Sequence, residues 1–202
     1  NESVRVNANV PQQITFGVLA VALGTSTCGQ TTSSTTTDTT VPFGDVSPSG
    51  FKHASQKLVV STNATNGFSV TISANDQLGK DGDPCVGDPP SGNACVIDAG
   101  VTGMTESTSA DWTSTSNKGL GYSLEDIGSS TTEAFSYNES GRTFSAKHLP
   151  DNEDSQSAQG IFSSTAPASS HTVYVCYQVI ISNTMDVGDY SNTVTYRATA
   201  SF

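Results

Sequence analysis

The chain has 202 residues, 13% of them charged and 34% apolar, with Gly, Ser, Thr and Asn filling much of the rest. Its 19 acidic against 8 basic residues give a formal charge of −11, which opposes binding to DNA or to an anionic membrane surface. The longest apolar run, FGVLAVAL at residues 16–23, falls well short of the roughly 18 residues of a membrane helix, so neither membrane insertion nor a nucleic-acid partner is expected.

The first predicted element is a β-strand over residues 3–10. Val4, Val6, Ala8 and Val10 alternate with Ser3, Arg5, Asn7 and Asn9, the pattern of a strand with one buried face. That alternation suits a strand packed in its own core and a strand donated to a neighbour's core equally well. Donation is the expectation, because the strand opens the sequence, is followed at once by Pro11 and belongs to an acidic, Ser/Thr-rich chain. The start at Asn1, without methionine or a charged-then-apolar leader, matches a processed mature form, although an expression fragment begins in the same way.

QQITFGVLAVAL continues in extended character, as a second strand or as one strand bent at Pro11, which has no N–H for a ladder. Residues 1–23 are thus predicted to form an extended N-terminal segment, the candidate donor, ahead of a β-domain over 24–202. QTTSSTTTDTT at residues 30–40 has no apolar face and reads evenly as a connection, flexible or O-glycosylated, or as an exposed edge strand.

In QKLVVSTNATNGFSVTISA, Leu58 and Val60 alternate before a TNATNG turn, and Phe68, Val70 and Ile72 alternate after it, which predicts a hairpin. Residues 75–103 are rich in Gly, Asp and Pro and are predicted as a long surface loop pinned by Cys85 and Cys95. LGYSLEDI, EAFSYNE and RTFSAKHL give weaker strand signals. HTVYVCYQVIIS then carries apolar residues on both faces, as a central strand does, and YSNTVTYRATASF looks half-exposed. No helix of more than about two turns is supported. The fold class is all-β, an Ig-like or jelly-roll-like antiparallel β-sandwich stabilised by disulfides, with a barrel fitting the same pattern.

Cys28, Cys85, Cys95 and Cys176 are even in number, and zinc sites need short ligand spacings that His53, His148 and His171 do not supply. Two disulfides and an oxidising compartment are expected. Cys85 and Cys95 enclose VGDPPSGNA, whose Pro and Gly let the chain reverse, leaving Cys28 for Cys176.

No catalytic residue is predicted, and the chain is not expected to be an enzyme. GYSLE at residues 121–125 lacks the second glycine of a nucleophile elbow, and the acids are too many to single out a catalytic pair. Asp76, Asp81, Asp83 and Asp88 supply oxygen ligands of the kind calcium takes, without the closing glutamate of a twelve-residue loop; a solvated acidic loop is the competing reading. No other cofactor is expected. Asn1, Asn63 and Asn138 match the N-glycosylation acceptor pattern. Trp112, Tyr122, Phe135 and Tyr137 read either as a sugar-binding platform or as core aromatics.

The opening SVRVNANVP, the TFG and cysteine that follow, the Ser/Thr-rich body and the closing GDYSNTVTYRATASF together resemble secreted subunits of bacterial surface fibres, the fimbrial and spore-coat-U-like β-sandwich proteins. STNATNGFSVTISA is likewise similar to stretches of bacterial surface β-proteins. The resemblance, carried by the two ends and one hairpin, implies an Ig-like fold whose subunits join by donating a strand, with no catalytic residue to carry over. The chain departs from the pilin pattern in that Cys28 has no slightly later cysteine to pair with. The expected function is therefore a structural subunit of an extracellular or cell-surface filament or pilus, whose partner is another copy reached through Val4, Val6, Ala8 and Val10. The alternative expectation is a secreted carbohydrate-binding module or adhesin with a surface glycan as ligand.

Overall fold

The computed structural model describes residues 2–87, 90–128 and 132–202. The main strands are β1 (Ile14–Leu19), β2 (Lys52–Thr62), β3 (Phe68–Ala74), β4 (Gly119–Ile127), β5 (Thr132–Glu133), β6 (Gln159–Ser164), β7 (Ala168–Ile180) and β8 (Val194–Ala200). They form two four-stranded antiparallel sheets, in the orders β1-β2-β7-β4 and β5-β6-β3-β8, packed face to face as a β-sandwich. Helix among the described residues is limited to a 3-10 turn at Glu139–Gly141, and no helix is long and apolar enough to cross a membrane.

β7 lies between β2 and β4, and its two-faced apolar pattern is the reason. Val173, Val175, Tyr177 and Val179 enter the core between the sheets, while Cys176 and Ile180 enter a second cluster with Trp112 and Phe144 on the outer face. Only a strand covered on both sides buries both sets.

The expected hairpin over residues 56–74 is corrected by the structure to an arch between the sheets. β2 pairs with β1 and β7, and β3 with β6 and β8, so the two strands face each other across the core instead of lying side by side. Both have an apolar face, and opposing Leu58 and Val60 to Phe68, Val70 and Ile72 buries all five. Gly67 makes the arch possible: its φ is +75°, and a Cβ there would meet the Ser164 carbonyl oxygen at 1.9 Å.

Three further expectations are refined. The segment over residues 75–103 carries its own small sheet, in which Leu78–Lys80 pairs with Cys95–Val96 and with Tyr190–Ser191. The Thr-rich stretch is neither a free connection nor an edge of a main sheet. Gln30–Thr31 pairs with Ser26–Thr27, and the buried Thr36 hydroxyl donates to the Ser55 carbonyl at 2.7 Å, so threonine hydroxyls do the work of missing backbone partners. Residues 2–13 belong to no strand, and Val4, Val6 and Val10 are 89%, 89% and 79% exposed.

Cys28 is bonded to Cys176 and Cys85 to Cys95, the pairing their spacing implies, and two such bridges indicate an oxidising folding environment. His53 sits against Phe51 and Phe144, with ring centroids 6.1 and 5.9 Å away. Its Nδ1 is buried without a hydrogen-bond partner among the described residues, and burial pushes its pKa from 6.5 down to about 4. The unfolded chain therefore binds a proton in a window where the folded one does not, and stability falls as pH drops from about 6.5 to about 4. Discounted for partial exposure, this amounts to about 2–3 kcal/mol. Urea titrations at pH 7 and pH 4.5 are expected to show His53→Phe losing less stability than the parent between the two; equal losses would exclude His53 as the source.

Candidate functional site

Backbone hydrogen bonds close one flank of the sandwich, whereas side chains alone bridge the other. On the sealed flank, Ala134 N donates to Ile161 O at 2.8 Å, Tyr137 N donates to Leu124 O at 3.0 Å, and Tyr122 and Lys147 exchange a reciprocal pair of backbone bonds at 2.9 Å. On the other flank β1 and β8 are the edge strands, and among the described residues no backbone hydrogen bond joins them. Between them opens a groove of about 1280 Å³.

Its floor is the core itself. Leu120, Leu149, Tyr177 and Val179 all line the groove and all belong to the principal buried cluster. Phe16 and Val18 of β1 form one wall, and Val194 and Tyr196 of β8 the other. Val41, Phe43 and Met185, packed against the core, also line the groove, as do Asp38, Asp45, Asp186 and Asp189.

A polar chain crosses the floor. The Tyr177 and Tyr196 hydroxyls hydrogen-bond to each other, Tyr196 Oη donates to Gln56 Oε1 at 3.2 Å, and Gln56 Nε2 donates to Thr37 O at 2.9 Å. Burial pushes both tyrosine pKa values well above their ordinary 10, so these phenols stay neutral and serve as struts. Nothing in this chain of neutral amide and phenol groups offers a nucleophile or a proton donor poised near pH 7.

The apolar segment predicted as donor lies outside the molecule's own core. Val4, Val6, Ala8 and Val10 are all exposed, and within residues 3–9 the side-chain contact is Arg5 Nε donating to Asn7 Oδ1 at 3.0 Å. Its base is attached at the arch: Asn63 Oδ1 accepts from Gln13 N at 2.8 Å, and Asn63 Nδ2 donates to Pro11 O at 2.7 Å. Of the glycosylation candidates, Asn63 is exposed but its Nδ2, the atom a sugar takes, already has this partner; Asn138 is exposed beside the 3-10 turn; and Asn1 lies outside the described residues.

The calcium candidates among the described residues, Asp76, Asp81 and Asp83, are not gathered into one site. Both Asp76 carboxylate oxygens are occupied, by Gln77 N at 2.7 Å and Cys85 N at 2.9 Å, while Asp81 and Asp83 are exposed and Asp88 lies outside the described residues. Among the described residues, the group of potential metal ligands that does converge within 4.8 Å is Cys28, Glu125 and Cys176. Its two sulfurs are bonded to each other, and Glu125 Oε2 accepts from Cys28 N at 2.5 Å, so this carboxylate braces the bridge. Trp112, Tyr122 and Phe135 are buried and Tyr137 is half-buried, so the four aromatics form no exposed platform. His148 faces Asp98 at 3.3 Å and the Ala99 carbonyl at 2.9 Å, and His171 packs edge-on against Phe68.

Sequence reasoning missed the groove and its walls. The signal was present in ITFGVL and NTVTYRATA, each with one apolar face and one polar face, but which strands are edges depends on sheet order. No protein-family model matches the chain, and no curated protein matches it either.

Proposed function

We propose that this protein is a non-catalytic structural subunit of an extracellular filament, joined to its neighbours by donation of residues 3–10 into the groove between β1 and β8. The observation that carries the reading is a complementarity within one chain. A segment with the period of a core strand lies in solvent, while a groove lined in part by core residues runs between the edge strands β1 and β8.

The dimensions agree. Val4 to Val10 spans about 20 Å when extended, at about 3.4 Å per residue, and β8 offers a free edge of 7 residues. The poles agree as well. The segment is rooted beside Thr62 at one end of β2, whereas the groove floor reaches Val179, which pairs with Lys52 at the other end. A copy with its donor at one pole and its acceptor opening toward the other makes a heterologous contact, which propagates as an open filament and not as a closed dimer. Bare strand edges are avoided by monomers, and donation would cover the edge of β8 and the exposed valines of the segment together. The disulfides fit an extracellular setting for such a filament.

The test is negative-stain microscopy of purified protein alongside Val6→Asp. The parent is expected to form unbranched fibres. The variant is expected to remain monomeric with an unchanged melting temperature, since Val6 touches no core in its own subunit. A parent that stays monomeric at high concentration, or a Val6→Asp variant that assembles normally, would remove the reading.

A further inference from the structure

We propose that Asn63 commits the N-terminal segment to another copy of the chain, by holding residues 11–13 in line with β1 and so away from their own subunit's groove; the proposal rests on the filament reading. Self-insertion is the natural competitor of polymerisation. A strand tethered a few residues from its own groove experiences an effective concentration in the millimolar range, unless geometry forbids the reach. Something in the fold must forbid it for subunits at ordinary concentrations to find one another.

The register supplies that element. β1 ends its strand pairing with β2 at Ile14↔Thr62, and beyond Thr62 the chain turns into the arch, so past one backbone bond, from Asn63 N to Gln13 O at 3.4 Å, residues 11–13 have no strand to pair with. In an extended chain the carbonyl of residue i and the N–H of residue i+2 point to the same side. Pro11 O and Gln13 N are such a pair. A primary amide presents one acceptor and one donor in the geometry of a peptide group, and Asn63 offers its Oδ1 to Gln13 N and its Nδ2 to Pro11 O. Thr62 Oγ1 completes the set by donating to Gln13 O at 2.7 Å. The Asn63 side chain therefore extends the β1–β2 ladder by one more rung, beside the backbone bond that Asn63 N donates to Gln13 O at 3.4 Å. Pro11 has no N–H, so its carbonyl is its entire backbone hydrogen-bonding capacity, and Asn63 takes it.

For Val10 to turn back toward Phe16 and Tyr196 on the groove walls, the chain must reverse between Val10 and Ile14. That reversal breaks both amide bonds at once. With the rung in place the segment leaves along the axis of β1, away from the pole toward which the groove opens.

The experiment compares Asn63→Ala and Asn63→Asp with the parent. In a full-length Val6→Asp background, kept monomeric, Asn63→Ala is expected to speed exchange of the Gln13 amide at least tenfold, because its acceptor is gone. In the otherwise native chain, Asn63→Ala is expected to lower fibre mass at least tenfold and to leave monomers that do not bind a synthetic NESVRVNANV peptide, their grooves being filled in cis. Asn63→Asp keeps the acceptor for Gln13 and should fall between. Removing residues 1–10 from Asn63→Ala should restore peptide binding to the level of the deletion alone, which separates self-insertion from misfolding. Fibres at parental yield from Asn63→Ala, or Asn63→Ala monomers that bind the peptide as the deletion protein does, would overturn the proposal. A deletion protein that ignores the peptide altogether would instead sink the filament reading, leaving Gln13 exchange to decide whether the rung exists.

Discussion

A chain lacking residues 1–10 is expected to fold, to stay monomeric and to bind the NESVRVNANV peptide. The folded state loses almost nothing by the deletion, because Val4, Val6 and Val10 are 89%, 89% and 79% exposed, and the effect on unfolding free energy should lie within about 0.5 kcal/mol. On the filament reading, assembly is expected to be lost entirely. Three valines and an alanine placed in the groove of a neighbour would contribute on the order of 4–8 kcal/mol at about 25 cal/mol per Å², before the costs of ordering and association. Backbone bonds to the free edge of β8 would then set the register. Microscopy reads the loss of fibres, calorimetry the unchanged melting, and fluorescence anisotropy the peptide. A truncated chain that still polymerises, or one that unfolds, would place these residues elsewhere.

The second large effect is expected from Cys28→Ala combined with Cys176→Ala. The bridge closes a sequence separation of 148 residues, and on the chain-entropy model that restricts the unfolded state by about 5 kcal/mol, against about 2.5–3 kcal/mol for the separation of 10 between Cys85 and Cys95. For a domain of this size the loss corresponds to a fall in Tm of roughly 10–20 °C. Packing adds to it, since Cys28 and Cys176 are 0% and 3% exposed in the cluster with Trp112, Phe144 and Ile180. Position matters too: Cys176 immediately precedes Tyr177 on the groove floor, so loosening β7 should also weaken peptide binding by the deletion protein. Thermal unfolding of the two double variants decides it. A smaller drop for the Cys28/Cys176 pair than for the Cys85/Cys95 pair would show that the long bridge is not the principal staple.

Local patterns were legible in the chain itself. Period-two alternation identifies β2, β3, β7 and β8 as strands because burial on one face of a pleated ribbon repeats every second residue, wherever the ribbon lies. The two-faced β7 could only be central, and the nine residues between Cys85 and Cys95 favour a local bridge, since short loops close most readily. Sheet membership was another matter: the arch over residues 63–67 has the turn chemistry of a hairpin, and what sends β3 to the opposite sheet is the apolar face of β2 that it must cover. The same limit applies to the opening strand. Alternation states that Val4, Val6, Ala8 and Val10 want burial, but not in which molecule; the exposed segment and the open flank emerge only when every other strand has found its place. Asn63 read as a turn residue or a sugar acceptor for the same reason. Its role as a ladder rung depends on the Ile14↔Thr62 register, a contact 48 residues apart in sequence that no local pattern encodes.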